Sequence, residues 1–455
     1  MTMDPAKLRD RLRGIVQPQG SAARAGSGPA VEPAPTAVAP AVQSASVGTR
    51  RSAALERVLG GEWRTRDGAR SFVVARRFPA DSPYGRLRVG DIAGQFTAAP
   101  QAASLIASGA PAVPFIFFDL ETTGLSGGAG THAFLIGCAW FDADASLVVE
   151  QHLMADFGAE RGMLTLVAQD LANAGALVTF NGKSFDAPVI ETRYLFHRLS
   201  SPCAQIPHVD MLHPARRFWG GDPSLGCSLS VLEQQLLGAR RCADVPGFEI
   251  PARYFQFIRS GNAEPLADVL EHNRLDLLSL AGLTGRLLTL IAQGPGATDD
   301  EREALALGKI YSRANDTVRA DEAYARAITL AAAAQRSGGR ARSGVEWAWT
   351  PQGIRVEALR SLALSARRSR RYHDAAAQWR QLLELPACPN AIRREATEAL
   401  AIHHEHRERD LAAAKMFALK SLEAGPEAAW GDAVRHRLAR IERKMVSERP
   451  SLFPS

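Results

Sequence analysis

FIFFDLETTG, residues 115–124, is the stretch of sequence that decides the fold. Its apolar first half is typical of a strand that is buried on both faces of a sheet. The run ends with Asp119 and Glu121, which alternation along an extended chain places on the same side. Because two carboxylates on one face repel each other, they favour a cation between them. The stretch predicts a buried strand that ends in a candidate cation site, although a solvated strand end is the simpler explanation of these two acids taken alone.

Strand and helix patterns follow one another on both sides of this stretch. Upstream, two short strand-like runs occupy residues 71–75 and 85–89. Downstream, further apolar strand patterns occupy residues 132–140, 147–153 and 176–180. Helical spacing of apolar residues occurs at residues 162–174, 184–196, 228–237 and 266–288. This order predicts an α/β domain with a mixed sheet flanked by helices.

Composition and pattern divide the chain into four predicted parts. Residues 1–50 are rich in Ala, Pro, Ser and Gly, and most of this stretch cannot bury enough apolar surface to fold alone, so we expect a disordered tail. Residues 51–113 predict a small β-rich lead-in, and residues 114–293 predict the α/β domain. After about residue 300 the strand patterns stop, and residues 300–445 predict an all-α region.

Three helical segments of the all-α region share a pattern of small and bulky residues. The matching positions are Ala320, Tyr324, Ala327 and Ile328 in the first, Ala375, Trp379, Leu382 and Leu383 in the second, and Ala414, Ala418, Ser421 and Leu422 in the third. The offsets of 55 and 39 residues are irregular. The pattern predicts a degenerate helix-pair solenoid resembling tetratricopeptide repeats, with a plain amphipathic bundle as the alternative.

The composition excludes several classes of protein. With 46% apolar and 22% charged residues, the chain is not wholly disordered, collagenous or fibrous. The five cysteines are scattered without a CxxC pair, which argues against a zinc ribbon or a disulfide framework. No uninterrupted apolar run approaches the roughly 18 residues of a membrane span, and no signal-peptide pattern begins the chain. We therefore expect a cytoplasmic protein, whose net charge of +6 permits a polyanionic partner without requiring one.

A second acid-bearing segment is FNGKSFD, residues 180–186. A strand pattern ends there, turns at Asn181 and Gly182, and gives way to a helix whose first turn holds Asp186. The helix dipole alone would favour an acid at that position by about 0.3–1 kcal/mol. Lys183 either contacts a phosphate or is simply exposed.

A third segment is EHNRLD, residues 271–276, inside a predicted helix. His272 and Asp276 are four residues apart and therefore share a helix face. A surface His–Asp pair on a polar helix would explain this motif if it stood alone.

The three segments together suggest a metal centre. If Asp119, Glu121, Asp186 and Asp276 converge, four carboxylates cannot all remain ionised near pH 7 without cations between them. Two divalent cations would satisfy them, and hard oxygen ligands select Mg²⁺ or Mn²⁺ over zinc. His272 would then orient or deprotonate a water molecule.

The same segments resemble the motifs of a known superfamily. FFDLETTG, FNGKSFD and HNRLD resemble the three motifs of the DnaQ-like, DEDD-type 3′–5′ exonucleases. Within the ribonuclease H-like superfamily, the YprB-like branch is similar in three runs, FDLETTGLSGG, FLIG (134–137) and TFNGKSFDAPVIETRY (179–194). The resemblance covers about residues 114–290. It implies a ribonuclease H-like fold, two metal ions, and hydrolysis of phosphodiester bonds from a 3′ end on single-stranded DNA or RNA.

The resemblance also implies roles for particular residues. By motif, the four acids and His272 match the catalytic set of the superfamily. Candidate substrate contacts beside these motifs are Thr122, Thr123, Asn181 and Lys183. One departure concerns the third motif, which usually has Tyr four residues before the last Asp or His five residues before it. Here His272 stands at the tyrosine spacing, four residues before Asp276.

Two other functions remain open from the sequence. The first is a nucleic-acid-binding module whose nuclease fold has lost activity. The second is an adaptor in which the helical repeats bind a protein partner and the α/β domain serves as a scaffold. Retention of all four acids argues against the first.

Several further residues admit two interpretations. Asp210 either supports the acidic site from behind or caps a helix. His403, His404 and His406 form a conceivable metal site, but neighbouring histidines on a helix point in different directions, which favours a solvated or packing face. The arginines of residues 367–371 either touch phosphate or carry ordinary surface charge.

Overall fold

The computed structural model describes residues 52–97, 99–124, 130–220, 226–242, 244–336, 346–386, 388–423 and 428–447. The predicted tail, residues 1–50, lies outside the described residues, as does most of the glycine-rich run that follows Gly124.

Seven strands form one mixed sheet. Its strands are β1 (Glu62–Arg66), β2 (Ala69–Phe78), β5 (Phe115–Thr122), β6 (Ala133–Phe141), β7 (Leu147–Leu153), β8 (Ala176–Thr179) and β9 (His208–Asp210), in the spatial order β1-β2-β7-β6-β5-β8-β9. A separate two-stranded pair joins β3 (Pro83–Tyr84) to β4 (Leu87–Arg88). Within the large sheet β5, β8 and β9 are parallel, and the remaining neighbours are antiparallel. The predicted mixed α/β sheet is confirmed.

Helices cover the sheet and then continue alone to the C-terminal side. In the sheet region they are α1 (Val89–Gly94), α2 (Ala99–Ala103), α3 (Glu160–Leu171), α4 (Asp186–Phe196), α5 (Leu212–Phe218), α6 (Leu229–Leu232), α7 (Ile250–Ser260) and α8 (Glu264–Gln293). After the sheet they are α9 (Glu301–Arg313), α10 (Thr317–Arg336), α11 (Pro351–Arg368), α12 (Tyr372–Leu383), α13 (Asn390–His403), α14 (Leu411–Glu423) and α15 (Ala428–Ser447). The prediction of an all-α region after the sheet is therefore confirmed in the residues that the structure describes.

β5 lies inside the sheet with a neighbour on each side, as its apolar sequence predicts. Phe115 to Phe118 are buried, and the strand pairs with β6 on one side and β8 on the other. The parallel pairing with β8 covers only Phe115 to Phe117, so Asp119 and Glu121 lie beyond the paired part. Because parallel neighbours end at the same edge, side chains of other segments can meet at this end of β5.

The predicted lead-in contributes strands to the same sheet. β1 and β2 form a hairpin whose two turn residues, Asp67 and Gly68, both have positive φ, as a type I′ turn requires. β2 then pairs with β7 from Phe72 opposite Leu153 to Phe78 opposite Leu147. The second strand-like run, residues 85–89, forms only the short β4 before α1 begins at Val89. The boundaries of the predicted domains stay a prediction.

α8 is the central helix of the core. Among the described residues it is the one helix long and apolar enough to cross a membrane, judged by length and composition alone. Most of its apolar stretch is buried inside the protein, which is typical of a core helix. Charged residues such as Arg274 and Asp276 interrupt α8, so its sequence contains no uninterrupted apolar run of about 18 residues.

The helices after the sheet pack in sequence, each against the next. One apolar cluster joins Phe117 of β5 and Leu283 of α8 to Tyr311 of α9 and Ile354 of α11. The small and bulky residues of the predicted pattern mostly face inward, and their buried members are Ala320, Tyr324, Ala327, Ala375, Trp379, Leu382, Ala414, Ala418 and Ser421. The tetratricopeptide-like assignment of these helices stays a prediction.

Candidate active site

The four predicted acids come from three separate parts of the chain and meet at the open end of β5. Asp119 and Glu121 are half-buried on β5, Asp186 is the buried first residue of α4, and Asp276 is half-buried on α8. The strand places its two acids on one side, and the helix that follows β8 begins where the parallel strands end. The structure thus brings together all four acids that the sequence singled out.

Mutual repulsion among these acids appears in their ionisation. Burial raises the pKa of Asp119 well above its ordinary value, and the charges of Asp276, Glu121 and Asp186 raise it further. The pKa of Glu121 is also raised well above its ordinary value, first by burial and then by Asp276 and Asp186. Burial, followed by the charges of Asp210 and Asp276, raises the pKa of Asp186 to about 7. Carboxylates so arranged attract positive charge.

Asn273, one helical turn before Asp276, fixes the orientation of Asp119. Its Nδ2 donates to Oδ2 of Asp119 at 2.8 Å, and its Oδ1 accepts from Nε2 of Gln151 at 2.8 Å. Gln151 donates from the same nitrogen to the carbonyl of Leu270 at 2.7 Å. Asn273 and Gln151 are fully buried. A polar chain through the core therefore ties β7 and α8 to the first acid.

Gly137 leaves room for this polar chain. On β6 it pairs with Asp119 of β5 on one side and Gln151 of β7 on the other. A Cβ atom at Gly137 would lie 2.3 Å from Oδ1 of Asn273, closer than any side-chain contact allows. The glycine of the FLIG run is therefore required for the approach of α8 to the sheet.

Arg241 supplies the cation that contacts the acidic site. Its NH2 group lies 2.5 Å from Oδ1 of Asp276 and 2.8 Å from Oε2 of Glu233. Its NH1 group lies 3.2 Å from Oδ2 of Asp244. Only 7% of the Arg241 side chain is exposed, so the guanidinium is held in place by three carboxylates. No motif in the sequence marks this residue.

His272 is paired with Asp244, an acid that no sequence motif marks. Its Nδ1 lies 2.7 Å from Oδ1 of Asp244, and its Nε2 lies 3.6 Å from Oδ2 of Asp276. The hydrogen bond from His272 and the charges of His272 and Arg241 outweigh burial and lower the pKa of Asp244. An ionised Asp244 favours the tautomer of His272 that carries its proton on Nδ1, which leaves Nε2 as an acceptor facing the acids.

Asp210 holds the turn that leads into Asp186. Its Oδ1 accepts from the backbone N–H of Asn181 at 2.8 Å and of Leu212 at 3.0 Å, and its Oδ2 accepts from that of Lys183 at 3.0 Å. Asn181 adopts positive φ in this turn. Asp210 therefore supports the turn before Asp186 from behind and also binds the first backbone N–H of α5, whose N-cap residue is Met211.

The four candidate substrate contacts lie beside the acids but differ in their availability. The Lys183 side chain is exposed, and Asn181 is half-buried. The hydroxyl of Thr122 donates to the carbonyl of Gly124 at 3.0 Å, and the hydroxyl of Thr123 accepts from the backbone N–H of His132 at 2.9 Å. The two threonine hydroxyls thus shape the end of β5.

A buried ion pair fixes the helix that carries Asp186. Glu160 of α3 accepts from Nε of Arg193 at 2.7 Å, and also lies 3.0 Å from Nδ1 of His132 and 2.8 Å from Nε2 of His197. Glu160 and Arg193 are each about 1% exposed. This cluster joins α3, α4 and the start of β6, so the position of Asp186 depends on it.

The donor set of the site suits hard divalent cations. Four carboxylates interact with one another at this site. Carboxylate oxygens are the ligands that Mg²⁺ and Mn²⁺ prefer. A second acid–histidine group, Glu150, His152 and Asp170, is neutralised by arginines, since Arg64 contacts Glu150 at 2.7 Å and Arg66 contacts Asp170 at 2.8 Å.

Comparison with known proteins agrees with this geometry. A model of the RNase H superfamily matches residues 116–288, a range that begins in β5 and ends in α8. The uncharacterized protein YprB of Bacillus subtilis (strain 168) is 31% identical over 334 residues, which cover 73% of this chain and 75% of YprB. The matched segment thus extends well beyond the motifs that carry the acids. The chain belongs to the family of YprB and contains an RNase H-superfamily domain at residues 116–288.

Proposed function

We propose that this protein is a metal-dependent nuclease that hydrolyses phosphodiester bonds, acting as a 3′–5′ exonuclease on single-stranded nucleic acid. One observation carries the proposal. Asp119, Glu121 and Asp186 lie so close to Asp276 that its charge, added to the effect of burial, raises the pKa of all three at the open end of β5. Clustering buried acids in this way costs folding free energy, and we attribute the cluster to metal binding in a nuclease active site.

The four acids would hold two divalent cations, Mg²⁺ or Mn²⁺. When bound, such cations lower the pKa of a water nucleophile and neutralise charge on the leaving 3′ oxygen. Asn273 binds one oxygen of Asp119, so this ligand is oriented by a buried residue of the protein core.

His272 is the proposed general base. Asp244 holds its Nδ1 proton, and the free Nε2 faces the acids, ready to accept a proton from water. The tyrosine spacing of His272 does not prevent this role, because its distance of 3.6 Å from Asp276 brings Nε2 to the edge of the site. Lys183, exposed beside Asp186, is the proposed phosphate contact.

The test is a cleavage assay on single-stranded DNA and RNA with either end blocked. Purified protein should shorten the 5′-labelled strand stepwise with Mn²⁺ or Mg²⁺. No shortening should occur in EDTA or when the 3′ end is blocked. Asp119→Asn should lower the rate by at least about a hundredfold, since a metal ligand stabilises the transition state by several kcal/mol. The matched control is Asp268→Asn, which removes an exposed acid of α8 that contacts only Arg253 in the described structure.

Three results would count against the proposal. If the Asp119→Asn protein cleaved at the wild-type rate, the cleavage would come from another site or from a contaminating nuclease. Cleavage within a strand blocked at both ends would make the protein an endonuclease. Binding without cleavage at any metal concentration would favour the non-catalytic alternative.

One observation favours that alternative, a nucleic-acid-binding protein without activity. Arg241 contacts Asp276 at 2.5 Å and thereby already supplies this acid with a positive partner. If the guanidinium stayed in place when metal was added, Asp276 would not coordinate a cation. This alternative would be supported if Arg241→Gln lost nucleic-acid binding and the wild-type protein showed no metal-dependent cleavage. For either function we propose a cytoplasmic protein whose helices α9 to α15 bind a protein partner.

A further inference from the structure

A further group of side chains that can ligate a metal lies among the C-terminal helices. His373 is near the start of α12, His403 ends α13, and Glu408 follows five residues later. Nδ1 of His373 lies 3.1 Å from Oε1 of Glu408, and Nε2 of His403 lies 3.0 Å from the same oxygen. These three donor atoms all lie within 4.8 Å of one another.

The backbone is distorted where the group forms. Residues five apart on an α-helix point about 140° away from each other, so Glu408 could not meet His403 on a regular helix. Instead the chain forms a π-helical turn over His404–Glu408, whose wider winding brings residue 408 back to the face of residue 403. Arg409 then takes a positive φ of 56° to end the turn. Turns of this kind are often found at functional sites.

We propose that His373, His403 and Glu408 bind one transition-metal ion, with zinc the expected ion. Zinc bonds to imidazole nitrogen and carboxylate oxygen at about 2.0–2.2 Å, so tetrahedral ligands lie about 3.3 Å apart. The observed separations of 3.0 and 3.1 Å need to widen by only a few tenths of an ångström. Two imidazoles and one carboxylate suit zinc, whereas all-oxygen sites suit Mg²⁺.

The neighbouring histidines are excluded by their own contacts. The ring of His404 stacks on Phe417 with centroids 5.4 Å apart, and His406 lies 3.5 Å from Glu405. Of the three adjacent histidines that the sequence suggested, only His403 points to the group, and His373 joins it from another helix. The ligands thus link the start of α12 to the end of α13.

A fourth coordination position would open towards a cavity. The cavity has a volume of about 710 Å³ and is lined by His403 together with Tyr372, Trp379, His406 and Arg407. Three protein ligands leave one position of a tetrahedral zinc ion free. Water fills it in the proposed site, with the cavity as its route of exchange.

The test is zinc titration of EDTA-stripped, full-length protein by calorimetry, with cobalt absorption as a second readout. All proteins carry Asp119→Asn and Asp186→Asn, so that the acidic site at β5 does not compete. We expect one equivalent of zinc in this background and in the matched control His406→Ala. His403→Ala and Glu408→Gln should each lower the affinity by at least about tenfold and abolish the tetrahedral cobalt spectrum.

His373→Ala distinguishes loss of a zinc ligand from a folding defect, because the side chain of His373 is 77% exposed and its removal leaves the core intact. Zinc binding that is equal in all these variants, or absent from the background protein, would overturn the proposal and leave a hydrogen-bonded cluster. The result does not depend on nuclease activity, so either proposal can fail alone.

Discussion

Asn273 donates a hydrogen bond of 2.8 Å to Asp119, although 154 residues separate the two along the chain. The bond connects the middle of α8 to the open end of β5. Removing it by Asn273→Ala frees a half-buried carboxylate to rotate, and residues that orient metal ligands in this way typically contribute 10- to 100-fold to metal affinity or activity. We therefore expect the rate of cleavage to fall by about that factor, with a higher Mn²⁺ concentration needed for half-maximal activity. An Asn273→Ala protein with wild-type metal dependence would contradict the assigned role, and Asp268→Ala on the same helix is the control.

Gly137→Ala should disturb the same contact from the other side. The added Cβ atom would lie 2.3 Å from Oδ1 of Asn273, so α8 has to shift or the amide has to turn away. Overpacking of a core position costs about 1–3 kcal/mol, and urea unfolding should show a loss of this size. Gly94→Ala is the control, since a Cβ atom there meets no atom within 4 Å. Equal stability of Gly137→Ala and wild type would show that the sheet and α8 can separate freely.

Asp244→Asn should disturb the orientation of His272 while leaving metal binding nearly unchanged. The amide cannot stabilise a protonated imidazole as a carboxylate does, and it also permits the other tautomer of His272. We expect the maximal rate to fall by about 10- to 100-fold, in line with loss of part of a general-base contribution. Metal affinity measured by calorimetry should stay nearly unchanged. A parallel loss of metal affinity would instead assign Asp244 to the metal site.

The pKa of Asp186 predicts how stability depends on pH. The folded protein raises this pKa from 3.8 to about 7, so it binds the proton more tightly than the unfolded chain does. The resulting stabilisation is complete below about pH 4 and is lost as the pH rises through about 7. In EDTA, the free energy of unfolding should fall between about pH 5 and 8, and Asp186→Asn should reduce that fall. Asp119 and Glu121, whose pKa values are also raised, should account for the slope that remains.

The control for this pH experiment is Asp144→Asn. Hydrogen bonds from Arg77 and the backbone lower the pKa of Asp144 to about 2, so this acid stays ionised across the same range in both states. Its replacement should leave the slope unchanged. Added Mn²⁺ should stabilise the wild type more at about pH 8 than at about pH 5.5, because only ionised carboxylates bind it. Identical slopes for wild type and Asp186→Asn would refute the raised pKa.

Much of the fold could be predicted because local patterns agree with the tertiary structure. The apolar run that begins at Phe115 is long enough for one buried strand, and the structure makes it an interior strand of the sheet. The predicted strand at residues 147–153 has the observed bounds of β7. Residues 85–89 were less informative, because Val89 begins a helix instead of ending a strand. No local pattern indicates that β1 and β2 extend the same sheet, since that depends on pairing between Phe72 and Leu153.

The candidate site was predictable where its residues lie in short motifs. Asp119, Glu121, Asp186, His272 and Asp276 all stand at strand ends or helix positions that the sequence marks. Arg241 and Gln151 act through contacts that arise only after folding, and no spacing relates them to the acids. Asn273 lies inside the third motif, but its partner is on β5, and only the tertiary structure reveals the bond. The pairing of His403 with Glu408 likewise depends on a π-helical turn that no sequence pattern predicts.

The β1–β2 hairpin has a practical consequence for work with shorter polypeptides. β2 covers one side of β7 along its whole length, from Leu147 to Leu153. A polypeptide beginning at Pro114 would keep all four acids but leave the peptide groups on that side of β7 without partners, beside apolar surface that Phe72 normally shields. Unprotected edges of this kind recruit strands from other molecules. Such a fragment should therefore self-associate and precipitate during purification, so its inactivity would say nothing about the chemistry of the intact chain.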